Sequence, residues 1–120
     1  MRKLLLLLPL MALASCSGGH DLMSNEPFRM TCEPNKEEDG FVAVVSPELP
    51  QATVNTGELQ FTFDLSVVAP TRLRLDRLQG PYGDAIVIER ETGQVSWGLF
   101  NLPNRGLFGQ KPYQCTFETL

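Results

Sequence analysis

The chain has 120 residues, a length that predicts a single folded domain. Its 10 Lys and Arg residues face 14 Asp and Glu residues, so the net charge at pH 7 is −4. This mild acidity argues against nucleic acid and anionic lipid surfaces as partners, because both attract basic proteins.

The N-terminal residues differ from the rest of the chain. A basic start, Met1–Lys3, precedes the apolar run Leu4–Ala12, which only Pro9 interrupts. As a helix this run would be about 14 Å long, whereas a bilayer core requires about 20 residues. The run therefore predicts the apolar region of an export signal peptide and not a transmembrane anchor.

The apolar run leads into Leu13-Ala14-Ser15-Cys16. This segment resembles the lipobox of bacterial lipoproteins, in which one aliphatic and two small residues precede an obligatory cysteine. The resemblance implies a signal peptide over residues 1–15, cleavage before Cys16, and fatty acyl chains such as palmitate on Cys16. Two or more such chains anchor a protein stably in a membrane. The alternative is ordinary signal peptidase cleavage before Ser15, which would release a soluble protein with a free Cys16 thiol.

Residues 16–26 are predicted to form the lipidated cysteine and a flexible polar tether, with a solvated His20. Ser17 follows the cysteine. Lipoproteins kept at the inner membrane commonly have Asp at this place, and Ser resembles the outer-membrane class. Loss of Arg2 and Lys3 on cleavage would leave eight cations against fourteen acids, a net charge of −6. We therefore expect a lipid-anchored protein of the bacterial cell envelope, on the outer membrane.

The three cysteines are Cys16, Cys32 and Cys115. If Cys16 carries lipid, Cys32 and Cys115 remain as a pair, and an oxidising compartment outside the cytoplasm favours their disulfide. The alternative is two separate reduced thiols. A disulfide would join the two ends of the β-domain predicted for residues 27–120.

Apolar residues after Pro27 recur with period two, which predicts strands and not helices. About seven such runs cover residues 28–32, 41–45, 60–67, 72–76, 85–88, 94–99 and 113–118. A tight hairpin is expected at Glu91-Thr92-Gly93, with Gly93 in the left-handed conformation. A loop is expected over residues 79–84, and a long connection is expected before Glu58. These features predict an all-β fold, a small antiparallel sandwich or curled barrel with one disulfide.

The predicted β-domain contains no histidine, which several common catalytic sites require. The single histidine, His20, lies in the predicted tether, so serine–histidine or cysteine–histidine catalysis has no base there. The acidic run Glu37-Glu38-Asp39 could bind calcium, but consecutive acids beside a turn are typical of a solvated loop. We expect no enzymatic activity, no cofactor and no bound metal.

Two groups of residues are candidates for binding a partner. Arg72 and Arg74 share the outward face of one strand, where they either meet a carboxylate-bearing partner or pair with acids across the sheet. Phe100, Arg105 and Phe108 lie in and beside a loop, and aromatic residues next to arginine are common at binding hot spots. The alternative for the aromatic residues is packing in the core.

The sequence therefore predicts a membrane-anchored binding domain that holds an envelope or external protein. In size, anchoring and a disulfide-closed β-fold it resembles the lysozyme-inhibitor lipoproteins, although their inhibitory loop motif does not occur in this chain, so no residue role follows. The alternative function is a structural or assembly component of an envelope complex.

Overall fold

The computed structural model describes residues 20–34 and 40–120. The proposed signal peptide, Cys16 and the acidic residues 37–39 lie outside the described residues. Eight strands make up the described fold: β1 (Phe28–Pro34), β2 (Phe41–Val45), β3 (Gln51–Thr56), β4 (Leu59–Val68), β5 (Arg72–Gln79), β6 (Tyr82–Glu89), β7 (Val95–Asn101) and β8 (Phe108–Thr119). The described residues form no helix, and hence none that is long and apolar enough to cross a membrane.

The strands form one closed antiparallel barrel in which each strand pairs with the next along the chain. This confirms the all-β prediction and selects the barrel over the sandwich. The number of strands is eight instead of about seven, because the connection before Glu58 contains β3. Within β3, Ala52 and Val54 are buried and alternate with more exposed polar residues. That alternation is too short to stand out among the neighbouring prolines.

The seam of the barrel lies between β1 and β8, which pair over seven residues from Phe28↔Thr119 to Pro34↔Tyr113. Cys32 and Cys115 are direct cross-strand partners with Cα atoms 4.0 Å apart, and they form a disulfide across a sequence separation of 83. The predicted pairing of these two cysteines is therefore confirmed. The disulfide links the first and last strands and faces the interior, where Cys32 is 1% exposed.

Apolar side chains on the inner face of every strand fill most of the barrel. An eight-stranded barrel is just wide enough for side chains to fill its interior or for one small ligand to enter. The largest fully buried side chains of the core are Phe28, Met30, Val45, Val54, Phe63, Leu73, Leu75, Ile86 and Ile88. Their burial is the main source of stability for a domain of this size.

One end of the barrel is covered by the strap, which we define as residues 20–27. Leu22 is 7% exposed and belongs to the core cluster, and the His20 ring stacks on Phe28 with centroids 4.9 Å apart. The expectation of a flexible tether with a solvated His20 is therefore wrong from residue 20 onward. The physical reason is that the Leu22 side chain and the His20 ring leave water by packing on apolar residues at this end of the barrel.

The strap closes a gap that the strands leave. The pairing of β7 with β8 stops at Val95↔Tyr113, so the remaining residues of β8 pair only with β1. The backbone N–H of His20 donates to the Phe117 carbonyl on this edge at 3.1 Å, and Nδ1 of His20 lies 2.7 Å from Oγ1 of Thr119. We call this strap-covered end, with the turns at residues 46–50, 69–71 and 90–94, the closed end.

Candidate functional site

The opposite end, which we call the open end, carries the turns at residues 57–58 and 80–81, the loop at residues 102–107 and the connection between β1 and β2, most of which lies outside the described residues. The open end has no strap among the described residues. Its inner wall is polar as well as aromatic, because Arg77 and Asp84 occupy inward positions that continue the buried alternation of β5 and β6. Charged and aromatic side chains therefore lie close together inside this end of the barrel.

Arg77, Asp84 and Trp97 form a connected group inside the open end. Nε and Nη2 of Arg77 donate to the two carboxylate oxygens of Asp84 at 3.1 and 3.2 Å, and the indole N–H of Trp97 donates to Asp84 at 2.7 Å. The Arg77 guanidinium also lies 4.1 Å from the ring centroid of Phe61. A paired carboxylate with three donors offsets much of the cost of burying charge at this depth.

An aromatic cleft of about 310 Å³ opens beside this group. Phe41, Trp97 and Tyr113 line it and contact each other, with the Phe41 and Trp97 rings edge to face at 4.8 Å. Gly109 has a positive φ of 64°, and a Cβ atom there would meet no atom within 4 Å, so the cleft is unobstructed at that position. Walls of this kind accept a flat or branched apolar group.

The rim of the open end exposes large apolar side chains. Six of them protrude from the strand ends and loops at this end of the barrel: Leu59, Leu78, Tyr82, Leu99, Leu102 and Phe108. Leu99 also lines the aromatic cleft, whereas Leu78 lines a groove on the outer wall. A single exposed leucine is ordinary, but clustered exposed apolar residues on one end of a small domain are typical of an interaction surface.

A second group lies on the outer wall of the barrel. Asp76 is 4% exposed and accepts hydrogen bonds from Nε of Arg74 at 2.7 Å and Nη1 of Arg105 at 2.6 Å. Both guanidinium groups lie over the Phe100 ring, at 5.2 and 5.4 Å from its centroid. Asp64 is the cross-strand partner of Asp76, and the two carboxylates line a groove on the outer wall together with the two arginines. The two cations thus stabilise a pair of adjacent carboxylates that would otherwise repel.

The residues proposed from the sequence fall into two different places. Arg74, Phe100 and Arg105 belong to the outer group, but Phe100 is completely buried over Gly83 and has no exposed surface for a partner. Phe108 lies on the rim of the open end and is half exposed. Arg72 makes the cross-strand ion pair that was the alternative for it, with Glu89 at 2.9 Å.

Arg77 and Asp84 are not among the site residues proposed from the sequence. The signal that could have found them is parity, because Arg77 continues the series Leu73, Leu75 and Asp84 precedes Ile86 by two. A charged residue at an inward position near a strand end points into the mouth of a barrel.

The described residues offer limited chemistry for catalysis. Over residues 20–34 and 40–120, no three His, Cys, Asp or Glu side chains come together in a way that could hold a metal ion. The only two cysteines in those ranges form the disulfide, and His20 lies at the closed end, away from the aromatic cleft. What the open end offers is apolar contact, ring stacking and hydrogen bonding.

Comparison with known proteins adds no relative. The chain matches no protein-family model, no curated protein and no solved structure.

Proposed function

We propose that this chain is a lipid-anchored protein of the bacterial envelope whose β-barrel binds another protein through its open end, without catalysing a reaction. One observation carries the proposal: the aromatic cleft and the attachment to Cys16 lie at opposite ends of the barrel. The strap, which connects to Cys16, packs on the closed end, whereas the aromatic cleft and the apolar rim lie at the opposite end. A binding surface remote from the attachment point stays accessible after anchoring.

The anchor half of the proposal rests on Cys16 and the residues before it. Lipidation leaves Cys32 and Cys115 as the remaining cysteines, and these two form the disulfide. A disulfide is typical of an oxidising compartment outside the cytoplasm, where a lipoprotein of the envelope resides.

The binding half rests on the composition of the open end. Interface hot spots are enriched in tryptophan, tyrosine and arginine near the centre, surrounded by residues that exclude water. Trp97, Tyr113 and Leu99 line the cleft, and further exposed leucines and Phe108 lie at the same end of the barrel. A partner protein that inserts an apolar side chain into the cleft and covers the rim with its surface would remove both from water.

Intact-mass analysis of the membrane-extracted protein tests the anchor. We expect a chain that begins at Cys16 and carries the mass of acyl groups, and we expect Cys16→Ala to lose flotation with membranes. A native chain that begins at Ser15 without acyl mass would instead support ordinary signal peptidase cleavage and a soluble product.

Site-specific photo-crosslinking in intact cells tests the binding end. A photoreactive phenylalanine analogue is placed at Phe108 on the rim and, as a matched control, at the equally exposed Leu49 on the closed end. We expect a discrete protein adduct from position 108 that Leu99→Asp abolishes, and no such adduct from position 49. Adducts from position 49 alone, or none from 108, would contradict the proposal.

The identity of the crosslinked protein separates this function from the alternative of an assembly component. A soluble or external protein would support a holding or inhibitory role. An envelope component recovered at fixed stoichiometry would support a structural role in a complex, with the same open end as the contact surface.

A further inference from the structure

The closed end also exposes apolar side chains, and they come from four separate segments. Met23 of the strap is 49% exposed, Leu49 in the β2–β3 turn 58%, Val68 at the end of β4 48%, and Leu120 after β8 56%. The topology brings all four segments to the same end of the barrel. None of the four belongs to the core cluster, in which Leu22 and Phe28 are buried.

The chain between Cys16 and the barrel is short. His20 is fixed to the closed end by its contacts with Phe28, Phe117 and Thr119. Cys16 is four positions before His20, and a fully extended chain over four positions spans at most about 14 Å. Acyl chains on Cys16 would therefore hold the closed end within about 14 Å of a bilayer surface.

The open end is too far from Cys16 to reach the same surface in an upright barrel. An eight-residue strand such as β5 is about 26 Å long, and with the usual tilt it covers about 20 Å along the barrel axis. The length of the chain therefore distinguishes the two ends, and only the closed end lies within reach of the lipid.

We propose that the closed end rests on the bilayer surface, with Met23, Leu49, Val68 and Leu120 in the headgroup region and the aromatic cleft directed away from the membrane. This inference rests on the lipidation of Cys16 proposed above. Apolar side chains at the interface add to the binding that the acyl chains supply. The protein is then held in one orientation instead of rotating freely about its attachment point.

The charges of the closed end specify the lipid that fits it. Asp21, Glu26, Glu48 and Glu91 are exposed there. The arginines of that end are occupied: Arg29 pairs with Glu118, Arg72 pairs with Glu89, and Arg90 is buried. Its surface is therefore acidic, so contact with a zwitterionic surface is favoured and contact with an anionic surface is opposed by repulsion.

Fluorescence quenching by lipid tests the orientation, and the single tryptophan, Trp97, lies at the open end. The full lipidated protein is reconstituted in phosphatidylcholine vesicles that contain lipid with a nitroxide near the headgroup. In a Trp97→Phe background, Leu49→Trp reports on the closed end, and Leu99→Trp is the matched control at the open end. We expect at least threefold stronger quenching of Leu49→Trp than of Leu99→Trp. Equal quenching, or the reverse order, would overturn the orientation.

Hydrogen exchange of the unaltered protein provides a measurement that does not depend on these variants. We expect slower exchange on vesicles in residues 20–26 and 46–50 and no change in residues 99–110. Unchanged exchange at the closed end would overturn the proposal. In addition, replacing a third of the phosphatidylcholine by phosphatidylglycerol should weaken the quenching of Leu49→Trp at low salt, and stronger quenching would contradict the charge argument.

The outcomes also separate this inference from the proposed function. A protein without acyl mass that fails to float with vesicles would overturn the anchor and the orientation together. A lipidated protein that floats but shows equal quenching at both ends would overturn only the orientation.

Discussion

Arg90 donates a hydrogen bond from Nε to the carbonyl oxygen of Leu22 at 2.8 Å, although 68 residues separate them in the sequence. The same guanidinium donates to the carbonyls of Ala69 and Ser24 and to the side chain of Asn25, each at 2.9 Å. Arg90 is 5% exposed, so one buried cation joins the strap to two turns of the barrel. It satisfies backbone carbonyls that would otherwise be buried without donors.

Replacing Arg90 by alanine should release the strap. Several charge-assisted hydrogen bonds would be lost together, so we expect a decrease of about 3 kcal/mol in the free energy of unfolding. Urea unfolding measures the decrease, and the amide protons of residues 20–26 should lose their protection in hydrogen exchange. Arg29→Ala is the control, because the exposed Arg29–Glu118 pair should contribute less than about 1 kcal/mol. Equal effects of the two variants would contradict the role of Arg90.

Reduction of the Cys32–Cys115 disulfide should destabilise the barrel. The loop that it closes is long, with a separation of 83 residues, and chain-entropy estimates give about 4–5 kcal/mol for a loop of that length. Denaturant unfolding with and without a reductant measures the difference. The Cys32→Ser/Cys115→Ser variant should unfold at the same midpoint as the reduced protein and show no response to reductant. A response in that variant would point to another cause.

Removal of the Asp84 carboxylate should leave Arg77 without its partner inside the barrel. We expect Asp84→Ala to lower the free energy of unfolding by about 3 kcal/mol, toward the low end for a broken buried pair, because water reaches part of Arg77. The Trp97 indole loses its acceptor as well, so its emission maximum should shift. Glu89→Ala, which breaks the more exposed pair with Arg72, should cost less than about 1 kcal/mol.

Truncation of Phe100 tests whether it supports the outer group from within. Phe100 is completely buried under Arg74 and Arg105, so Phe100→Ala should cost about 3–4 kcal/mol through lost burial and a cavity. Phe108→Ala, at a half-exposed ring, should change stability by less than about 1 kcal/mol. If the two variants lowered the thermal midpoint equally, the packing argument for Phe100 would not hold.

The sequence predicted the strands well where one face alternates over many residues. The series Phe61, Phe63 and Leu65 lies in β4, the series from Tyr113 to Phe117 lies in β8, and both cysteines occupy the inward positions expected of them. Val67 departs from the expected alternation, because a register shift after Leu65 pairs it with Arg74 and leaves it 38% exposed. Period two predicts buried and exposed faces because it depends only on the strand geometry. The closure into a barrel depends on twist and register between distant strands, which a single sequence does not display.

The parts that were mispredicted depend on tertiary contacts. The strap has the composition of a linker, yet Leu22 and Arg90 fix it to the barrel. Leu99 shares the inward parity of Trp97 in the pairing with β6, yet it is 49% exposed because it lies near the open end. Phe100 faces outward but is completely buried, because Arg74 and Arg105 cover its ring.

The order of the strands has a consequence for how the chain reaches its native state. Seven of the eight strand pairings join neighbours in sequence, so hairpins form them with modest loss of chain entropy, while the β1–β8 pairing alone has a high contact order. Closure of the cylinder is therefore expected to limit the rate of folding. In an oxidised chain the Cys32–Cys115 disulfide already joins β1 to β8. Such a chain should therefore refold faster than the reduced chain.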